Sequence, residues 1–105
     1  MQRKRAPFFG ARLRTRRLAL GMSQEKVGVS IGLDESCSRT RISRYETGAH
    51  EPAIATSQLL ATVLGVPVAY LYCEDDVMAE IIRLIHTLEE KAKETLLVCL
   101  QSKTS

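Results

Sequence analysis

The sequence predicts an all-α fold in which a set of short helices is followed by a C-terminal amphipathic helical segment. Apolar residues recur at spacings of three and four positions, which is the pattern of helices that bury one face. Glycines, and Ser or Asp residues in capping positions, divide this pattern into short segments. Because the chain has 105 residues, it suffices for one small domain with a modest core, which a second copy would help to stabilise.

The first predicted helix runs from Phe8 to Leu20. Phe9 and Leu13 lie on its apolar side, and Gly21 is a typical residue to follow the last turn of a helix. The residues on its solvent side are Arg12, Arg14 and Arg16. These three arginines are therefore expected to be exposed to water.

Two further helices are predicted next along the chain. Ser23 is a good N-cap for the first of them, which should end near Gly32. After a polar linker, Ser38 is the cap candidate for the following helix, in which Ile42 and Tyr45 are spaced to share a buried face. The residues largely on its opposite face are Arg39, Thr40, Ser43 and Arg44. Such a face could bind a polyanion.

These two helices resemble the phage-repressor (XRE, or Cro-like) helix-turn-helix family of DNA-binding transcriptional regulators. The shared features are Ser23-Gln24 opening one helix, Gly32 at its end, and Ile42-Ser43-Arg44-Tyr45-Glu46-Thr47-Gly48 closing the next. The resemblance extends over residues 8–72. It implies a five-helix Cro/repressor-like helix-turn-helix domain there. The basic residues ahead of Pro7 predict a flexible basic arm at residues 1–7.

The resemblance also implies which residues bind DNA. In this family, the first turn and exposed face of the third helix read the major groove, where an Arg can bond both O6 and N7 of guanine. Gln24 is expected to bond a phosphate or to brace the third helix. The implied DNA-binding residues are Gln24, Ser38, Arg39, Thr40, Arg41, Ser43 and Arg44.

Structural roles follow from the same resemblance. Arg17 is expected to form an ion pair with Glu46 that ties the first helix to the third. Gly28 stands where the family commonly has Ala and permits close approach of the second and third helices. Leu33 to Ser36 are extra residues compared with the usual compact turn. Either this loop bulges away from the DNA, or the third helix starts earlier and is longer than usual.

The charge is unevenly distributed. Residues 1–50 contain eleven Lys or Arg and four acidic residues, whereas residues 51–105 contain four and eight, so net charges of +7 and −4 sum to the overall +3. This asymmetry favours a nucleic-acid surface on the N-terminal half, although a solvated basic surface is the alternative. Arg3, Lys4 and Arg5 could lie along the DNA backbone or in a minor groove, or could form a solvated terminus.

Two more helices complete the predicted domain. Pro52 is expected to open a fourth helix that is stopped by Gly65. A short fifth helix is predicted from Val68 to Tyr72, with Leu71 directed into the core.

Residues 73–105 form a C-terminal helical extension that is predicted to mediate dimerisation. Asp75 and Asp76 can cap it, and Thr87 with Glu90 could form a capping box, so the segment is either one helix or two. Its apolar stripe is longer than a five-helix domain needs for its own core, and self-association would cover it. The residues predicted in the dimer interface are Ile81, Ile85, Leu88 and Leu96. Folding back onto the same chain is the alternative.

Several kinds of function are not indicated. The three cysteines, Cys37, Cys73 and Cys99, are widely separated and form no CxxC pair, which argues against a zinc site or a disulfide framework. Neither the two histidines nor any Ser, His and acid arrangement resembles a catalytic or metal site. No run approaches the ~20 apolar residues of a membrane helix, and the basic N-terminus has no apolar stretch of a secretory signal. We expect a cytoplasmic protein without catalytic residues, metal or cofactor.

The function predicted from these features is sequence-specific binding of double-stranded DNA. We expect a transcriptional regulator, by default a repressor, that binds a pseudo-palindromic operator as a homodimer with the third helix in the major groove. The alternative is a protein-interaction module, antitoxin-like or a co-regulator, that binds a partner protein through its C-terminal helix.

Overall fold

The computed structural model of the protein describes residues 7–104, and this part of the chain folds into seven helices without a strand. The helices are α1 (Pro7–Ala19), α2 (Gln24–Ser30), α3 (Glu35–Thr47), α4 (Ile54–Leu64), α5 (Val68–Leu71), α6 (Asp76–His86) and α7 (Glu90–Thr104). The predicted arm residues Arg3, Lys4 and Arg5 lie outside the described residues. No helix within residues 7–104 is both long and apolar enough to span a membrane.

Helices α1 to α5 surround one hydrophobic core, to which each contributes a side chain with no exposed surface. These side chains are Leu13, Val27, Ile42, Leu60 and Leu71. Full burial of a Leu, Ile or Val side chain stabilises the fold by about 1.5–3 kcal/mol relative to exposure. The predicted positions Leu13, Ile42 and Leu71 therefore lie in the core, and α6 adds Ala79 to it.

Local chemistry explains where these helices begin and end. The hydroxyl of Ser23 accepts a hydrogen bond from the backbone N–H of Lys26 at 3.0 Å, so Ser23 caps α2 as predicted. Gly48 and Gly65, with φ values of 80° and 69°, end α3 and α4 in the left-handed conformation that glycine adopts without strain. Helix α4 begins at Ile54 rather than at Pro52.

The third helix begins earlier than predicted. Asp34 rather than Ser38 is its N-cap, since the Asp34 carboxylate accepts a hydrogen bond from the N–H of Ser36 at 3.1 Å. Of the extra residues, Asp34 thus becomes the cap of α3, and Glu35 and Ser36 belong to its first turn. Of the two alternatives for this insertion, the longer helix is correct, and the predicted start at Ser38 is wrong because a better-placed acceptor precedes it.

Helix α1 crosses α3 at a glycine. A Cβ atom on Gly10 would lie 2.2 Å from the carbonyl oxygen of Glu46 and 2.7 Å from that of Tyr45. Since both neighbours are backbone atoms near the end of α3, they cannot move aside as a flexible side chain could. Gly10 therefore fixes the distance between the two helices.

The C-terminal segment consists of two helices. Asp75 caps α6 by accepting a hydrogen bond from the N–H of Met78 at 2.7 Å, as predicted. Thr87 ends α6, and its hydroxyl donates to the carbonyl of Leu84 at 2.6 Å. That hydroxyl therefore takes part in the end of α6 instead of a capping box with Glu90. Helix α7 has no buried residue.

Candidate nucleic-acid interface

The contact between α2 and α3 is set by a glycine facing a serine. Ser38 is fully buried, and its hydroxyl donates a hydrogen bond to the carbonyl of Glu25 at 2.7 Å. A Cβ atom on Gly28 would lie only 1.8 Å from the Ser38 Oγ. Gly28 thus permits the predicted close approach of α2 and α3. The Ser38 hydroxyl occupies the space beside Gly28 and also satisfies the backbone carbonyl of Glu25.

Burial makes the predicted DNA contact of Ser38 wrong. This side chain has no exposed surface, so it cannot touch a duplex. The prediction places Ser38 at the cap and first turn of the third helix, whereas it lies one turn inside α3 on the face that packs against α2. Its role is to hold α3 at a fixed angle to α2.

The outward face of α3 presents three arginines to solvent. Ile42 and Tyr45 are buried, with 0% and 7% of their surface exposed, and thereby orient the helix. The exposed residues are Arg39, Thr40, Arg41 and Arg44, and Ser43 is half-buried beside them. Among the salt bridges within residues 7–104, none involves these three arginines, so their charges are available to an anionic ligand.

Tyr45 connects this face to the core. A side-chain hydrogen bond with Tyr45 raises the pKa of Arg41 above its ordinary value. Tyr45 is buried and Arg41 is exposed, so the tyrosine lies where the outward face meets the core.

An acidic first turn precedes the arginines. Asp34 and Glu35 are both exposed at the N-terminus of α3, where a negative charge suits the helix dipole. Because α3 starts at Glu35, Arg39 lies in its second turn instead of its first. Any duplex that approaches the arginines therefore also meets two carboxylates at one end of the helix.

The predicted ion pair between Arg17 and Glu46 is present. Arg17 Nε lies 2.6 Å from Glu46 Oε2, and Arg17 Nη2 donates to Oε1 at 3.1 Å, which makes the pair bidentate. The side chains are only 10% and 4% exposed. Hydrogen bonding to Glu46 raises the pKa of Arg17. Gln24 Nε2 also donates to Glu46 Oε1, at 3.1 Å. Of the two roles expected of Gln24, the structure therefore shows that of bracing the third helix.

A surface depression of about 460 Å³ lies beside this pair. It is lined by Arg17, Ser23, Gln24, Glu25 and Arg39. The depression thus brings the beginning of α2 next to the first arginine of the outward face.

Comparison with known proteins identifies this arrangement. The Helix-turn-helix family profile matches residues 13–71, from Leu13 in α1 to Leu71 at the end of α5. The chain belongs to the XRE-type helix-turn-helix family. A solved structure titled transcriptional regulator BswR superposes with a TM-score of 0.83 at 39% identity, covering 89% of this chain and 92% of that one.

Curated relatives of this helix-turn-helix regulator are also named as transcriptional regulators. An HTH-type transcriptional regulator of Sinorhizobium medicae is 38% identical over 63 residues, which are 60% of this chain and 42% of that protein. The transcriptional repressor RstR of a cryptic CTXphi phage in Vibrio cholerae is 29% identical over 100 residues, 90% of this chain and 86% of that protein. The chain therefore spans less than half the length of the first relative and most of the second.

Two arginines of α1 have roles that the helical pattern does not predict. Arg16 Nε donates to the carbonyl of Leu64 at 2.9 Å, at the end of α4. Arg12 is half-buried and donates to backbone carbonyls that precede α6. Of the three arginines expected on the solvent side, only Arg14 is exposed. Helical spacing shows which face a residue occupies, but it does not show that unpaired carbonyls of another helix lie opposite.

The predicted interface residues of the C-terminal segment are not equally accessible. Ile81 and Leu88 are exposed, whereas Ile85 and Leu96 are half-buried. Ile85 lines a depression between α5, α6 and α7 together with Pro67, Ile82, His86 and Lys93. Further exposed apolar residues on these two helices are Val77, Met78, Leu84, Leu97, Val98 and Leu100.

No group of three or more His, Cys, Asp or Glu side chains within residues 7–104 is arranged to hold a metal ion. Cys37 and Cys73 are half-buried, and Cys99 is exposed. Their thiols lie on separate elements, at the start of α3, after α5 and in α7. The outward face of α3 is therefore the strongest candidate for a functional site in the described part of the chain.

Proposed function

We propose that this regulator is a repressor that binds a pseudo-palindromic operator as a homodimer, with α3 in the major groove of each half-site. The observation that carries this proposal is the set of three exposed arginines on α3, a helix oriented by the buried Ile42 and Tyr45. A helix of this kind fits the major groove, which is about 12 Å wide. Arg41 and Arg44 are the proposed readers of base edges, and Thr40 and Ser43 flank them.

The remaining contacts are with the DNA backbone. Arg39 borders the depression at the start of α2 and is the proposed phosphate contact at that end of the interface. Gln24 is engaged by Glu46, so it supports the interface instead of contributing its amide to a phosphate. The basic arm, with Arg3, Lys4 and Arg5, would add charge along the backbone or in the minor groove.

The homodimer is supported by apolar surface that the monomer leaves uncovered. Ile81, Leu84 and Leu88 are spaced at three and four positions along one side of α6 and the turn after it, and each is at least 38% exposed. Burying such a row against a second copy removes it from water. The two-fold axis would then place two α3 helices one helical turn of DNA apart, about 34 Å.

Repression would follow from occupancy of the operator. A dimer that covers two adjacent major grooves excludes another protein from the same stretch of promoter. The relative RstR is named a transcriptional repressor, which supports this sign of regulation.

Substitution of the proposed readers tests this function. Arg41→Ala and Arg44→Ala should each weaken binding to a selected operator by about tenfold or more, because a bidentate arginine contributes roughly 1–3 kcal/mol of discrimination between bases. Lys91→Ala is the matched control, since it removes the same charge from the exposed surface of α7. Fluorescence anisotropy measures affinity, and circular dichroism checks the fold. Unchanged operator affinity in both arginine variants would refute the assignment of α3 as the reader.

A second candidate is a protein-interaction module, and the exposed apolar surface of α7 favours it. Leu97, Val98 and Leu100 are each at least 47% exposed, and α7 buries nothing. This module would bind DNA weakly, with a shallow dependence on salt, and would form a complex with a different protein. A steep salt dependence with sequence preference would favour the repressor.

A further inference from the structure

One arginine joins the DNA-binding helices to the beginning of α6. The side chain of Arg12, on α1, is only 12% exposed. Its Nε donates to the carbonyl of Cys73 and its Nη2 to the carbonyl of Glu74, both at 3.0 Å. Its Nη1 lies 2.8 Å from Asp76 Oδ1. A single guanidinium thus holds both the linker and the first turn of α6.

The geometry of this contact differs from that of a surface ion pair. Asp76 is 91% exposed, so its attraction to Arg12 is screened by water and is weak by itself. The backbone carbonyls of Cys73 and Glu74, in contrast, cannot move without moving the linker. The guanidinium also lies 6.0 Å from the centre of the Tyr70 ring, which limits its position from the side of α5. Arg12 therefore fixes the path of the chain as it enters α6.

A buried residue limits the direction of α6 after this point. Ala79 is 1% exposed and lies in the core. Helix α6 is thus held to α1 by Arg12 at its first turn and to the core by Ala79 at its second.

Helix α1 is in turn tied rigidly to α3. Gly10 allows backbone contact between the two helices, and the Arg17–Glu46 pair joins their ends. The outward face of α3 and the exposed apolar row of α6 therefore belong to one connected unit. In a homodimer formed through α6, the direction of α6 determines how far apart the two α3 helices lie.

We propose that Arg12 is a positioning residue that sets the spacing of the two half-sites that the homodimer accepts. The proposal rests on the proposed function, since it requires a dimer on an inverted repeat. Arg12 itself makes no contact with DNA. It holds α6 at one angle, so that an operator with the wrong distance between half-sites cannot engage both copies of α3.

The test compares full-length variants on three kinds of duplex. These are the selected operator, the same operator with one base pair added or removed at its centre, and a duplex with a single half-site. Arg12→Ala removes the hydrogen bonds to the carbonyls of Cys73 and Glu74 and the ion pair with Asp76. Arg12→Lys keeps the charge but cannot reach both carbonyls and Asp76 together. Asp76→Asn removes only the ion pair and leaves both carbonyl bonds.

The wild type should discriminate between the correct and altered spacing, and Arg12→Ala should lose this discrimination by about fivefold or more. Arg12→Lys should show an intermediate loss, and Asp76→Asn little change. Affinity for the single half-site should be the same in all four proteins. If Arg12→Ala does not fold, Arg12→Lys provides the same comparison. Amide hydrogen exchange should become faster in α6 while α2 and α3 stay protected.

Retention of wild-type discrimination in Arg12→Ala and Arg12→Lys would overturn the inference while leaving the proposed function intact. A loss of half-site affinity equal to the loss on the full operator would also overturn it, because Arg12 would then act on α3 or on DNA. If the wild-type protein selects no inverted repeat, the proposed function itself is contradicted. The inference about Arg12 then falls with it, because there would be no half-site spacing to set.

Discussion

The region from α1 to α5 and the region from α6 to α7 are both helical, but they differ in what determines their structure. Each helix of the first region contributes a fully buried side chain to one core. In the second region α6 contributes Ala79 to this core, and α7 contributes nothing. The first region is thus specified by its own packing, whereas the second carries apolar surface whose burial requires another molecule.

Ion pairs show the same difference. The Arg17–Glu46 pair is bidentate, almost completely buried and shared with Gln24. The Glu80–Arg83 pair on α6 lies within one helix at the surface. Breaking a buried pair from one side leaves an uncompensated charge, whereas an exposed charge is simply hydrated. Charged side chains therefore fix the positions of helices in the first region, whereas those within the second region mainly interact with water.

The largest effect is expected where the buried pair is broken. Glu46→Ala should lower the free energy of unfolding by about 3–5 kcal/mol, because Arg17 would remain buried without a counter-charge. Urea denaturation followed by circular dichroism measures this change. Glu80→Ala is the control from the other region and should have a far smaller effect. Equal losses in the two variants would remove the distinction between the regions.

The surface pair should also respond to pH. Arg83 lowers the pKa of Glu80 below its ordinary value of 4.5. A carboxyl with a lowered pKa stabilises the fold above that ordinary value, and this contribution is lost as the pH falls below it. In Glu80→Gln the difference in stability from the wild type should therefore shrink on acidification from pH 6 to pH 3. A difference that grows over this range would contradict a lowered pKa of Glu80.

The next largest effect is expected at the crossing of α1 and α3. Gly10→Ala places a methyl group against the carbonyls of Glu46 and Tyr45, and overpacking of this kind costs about 1–3 kcal/mol or more. Ala11→Gly is the matched exchange at an exposed position of the same helix and should cost only about 1 kcal/mol through helix propensity. Denaturation midpoints compare the two. A Gly10→Ala variant as stable as Ala11→Gly would show that the helices can separate without penalty.

The apolar surface of α6 should matter for assembly and hardly for the fold. Ile81→Glu combined with Leu84→Glu should give a monomer with stability within about 0.5 kcal/mol of the wild-type protomer, since both side chains are exposed. Light scattering coupled to size exclusion measures the mass. Thr95→Glu with Gln101→Glu adds the same charge at polar positions of α7 and serves as the control. A variant that remains dimeric would exclude this face from the interface.

The smallest effect is expected at the acidic first turn of α3. Glu35→Gln should increase affinity for non-specific DNA by roughly two- to threefold, because it removes a repulsion between exposed charges. Anisotropy titrations with a random-sequence duplex at low salt measure it. Glu94→Gln makes the same change on α7 and should leave affinity unaltered. An equal increase in both variants would indicate a general effect of net charge, with no special position for the first turn of α3.

The first region is largely predictable from the sequence because its signals are local. Ser23 caps α2 as expected, and the apolar spacing locates Ile42 and Leu71 in the core. The cap of α3 is predicted wrongly because Ser and Asp both cap helices. Choosing between Ser38 and Asp34 depends on which one faces α2, and that is a property of the assembled fold.

The contacts that the sequence does not predict all join distant parts of the chain. Arg12 and Arg16 are expected in water because helical spacing records only their own face. Their acceptors are carbonyls at Cys73, Glu74 and Leu64, which come near α1 only after α4 and α5 have packed. Gly10 gives no signal for the same reason. The Arg17–Glu46 pair is predictable only because the resemblance to a family implies it.

Selection of bound sequences from a random duplex pool tests the central claim most directly. The full-length protein would be offered the pool at two salt concentrations, and the recovered sequences would be compared. We predict an inverted repeat with half-site centres about one helical turn apart, and an affinity that falls steeply as salt rises. Weak binding without sequence preference at either concentration would contradict the claim that α3 reads an operator as part of a homodimer.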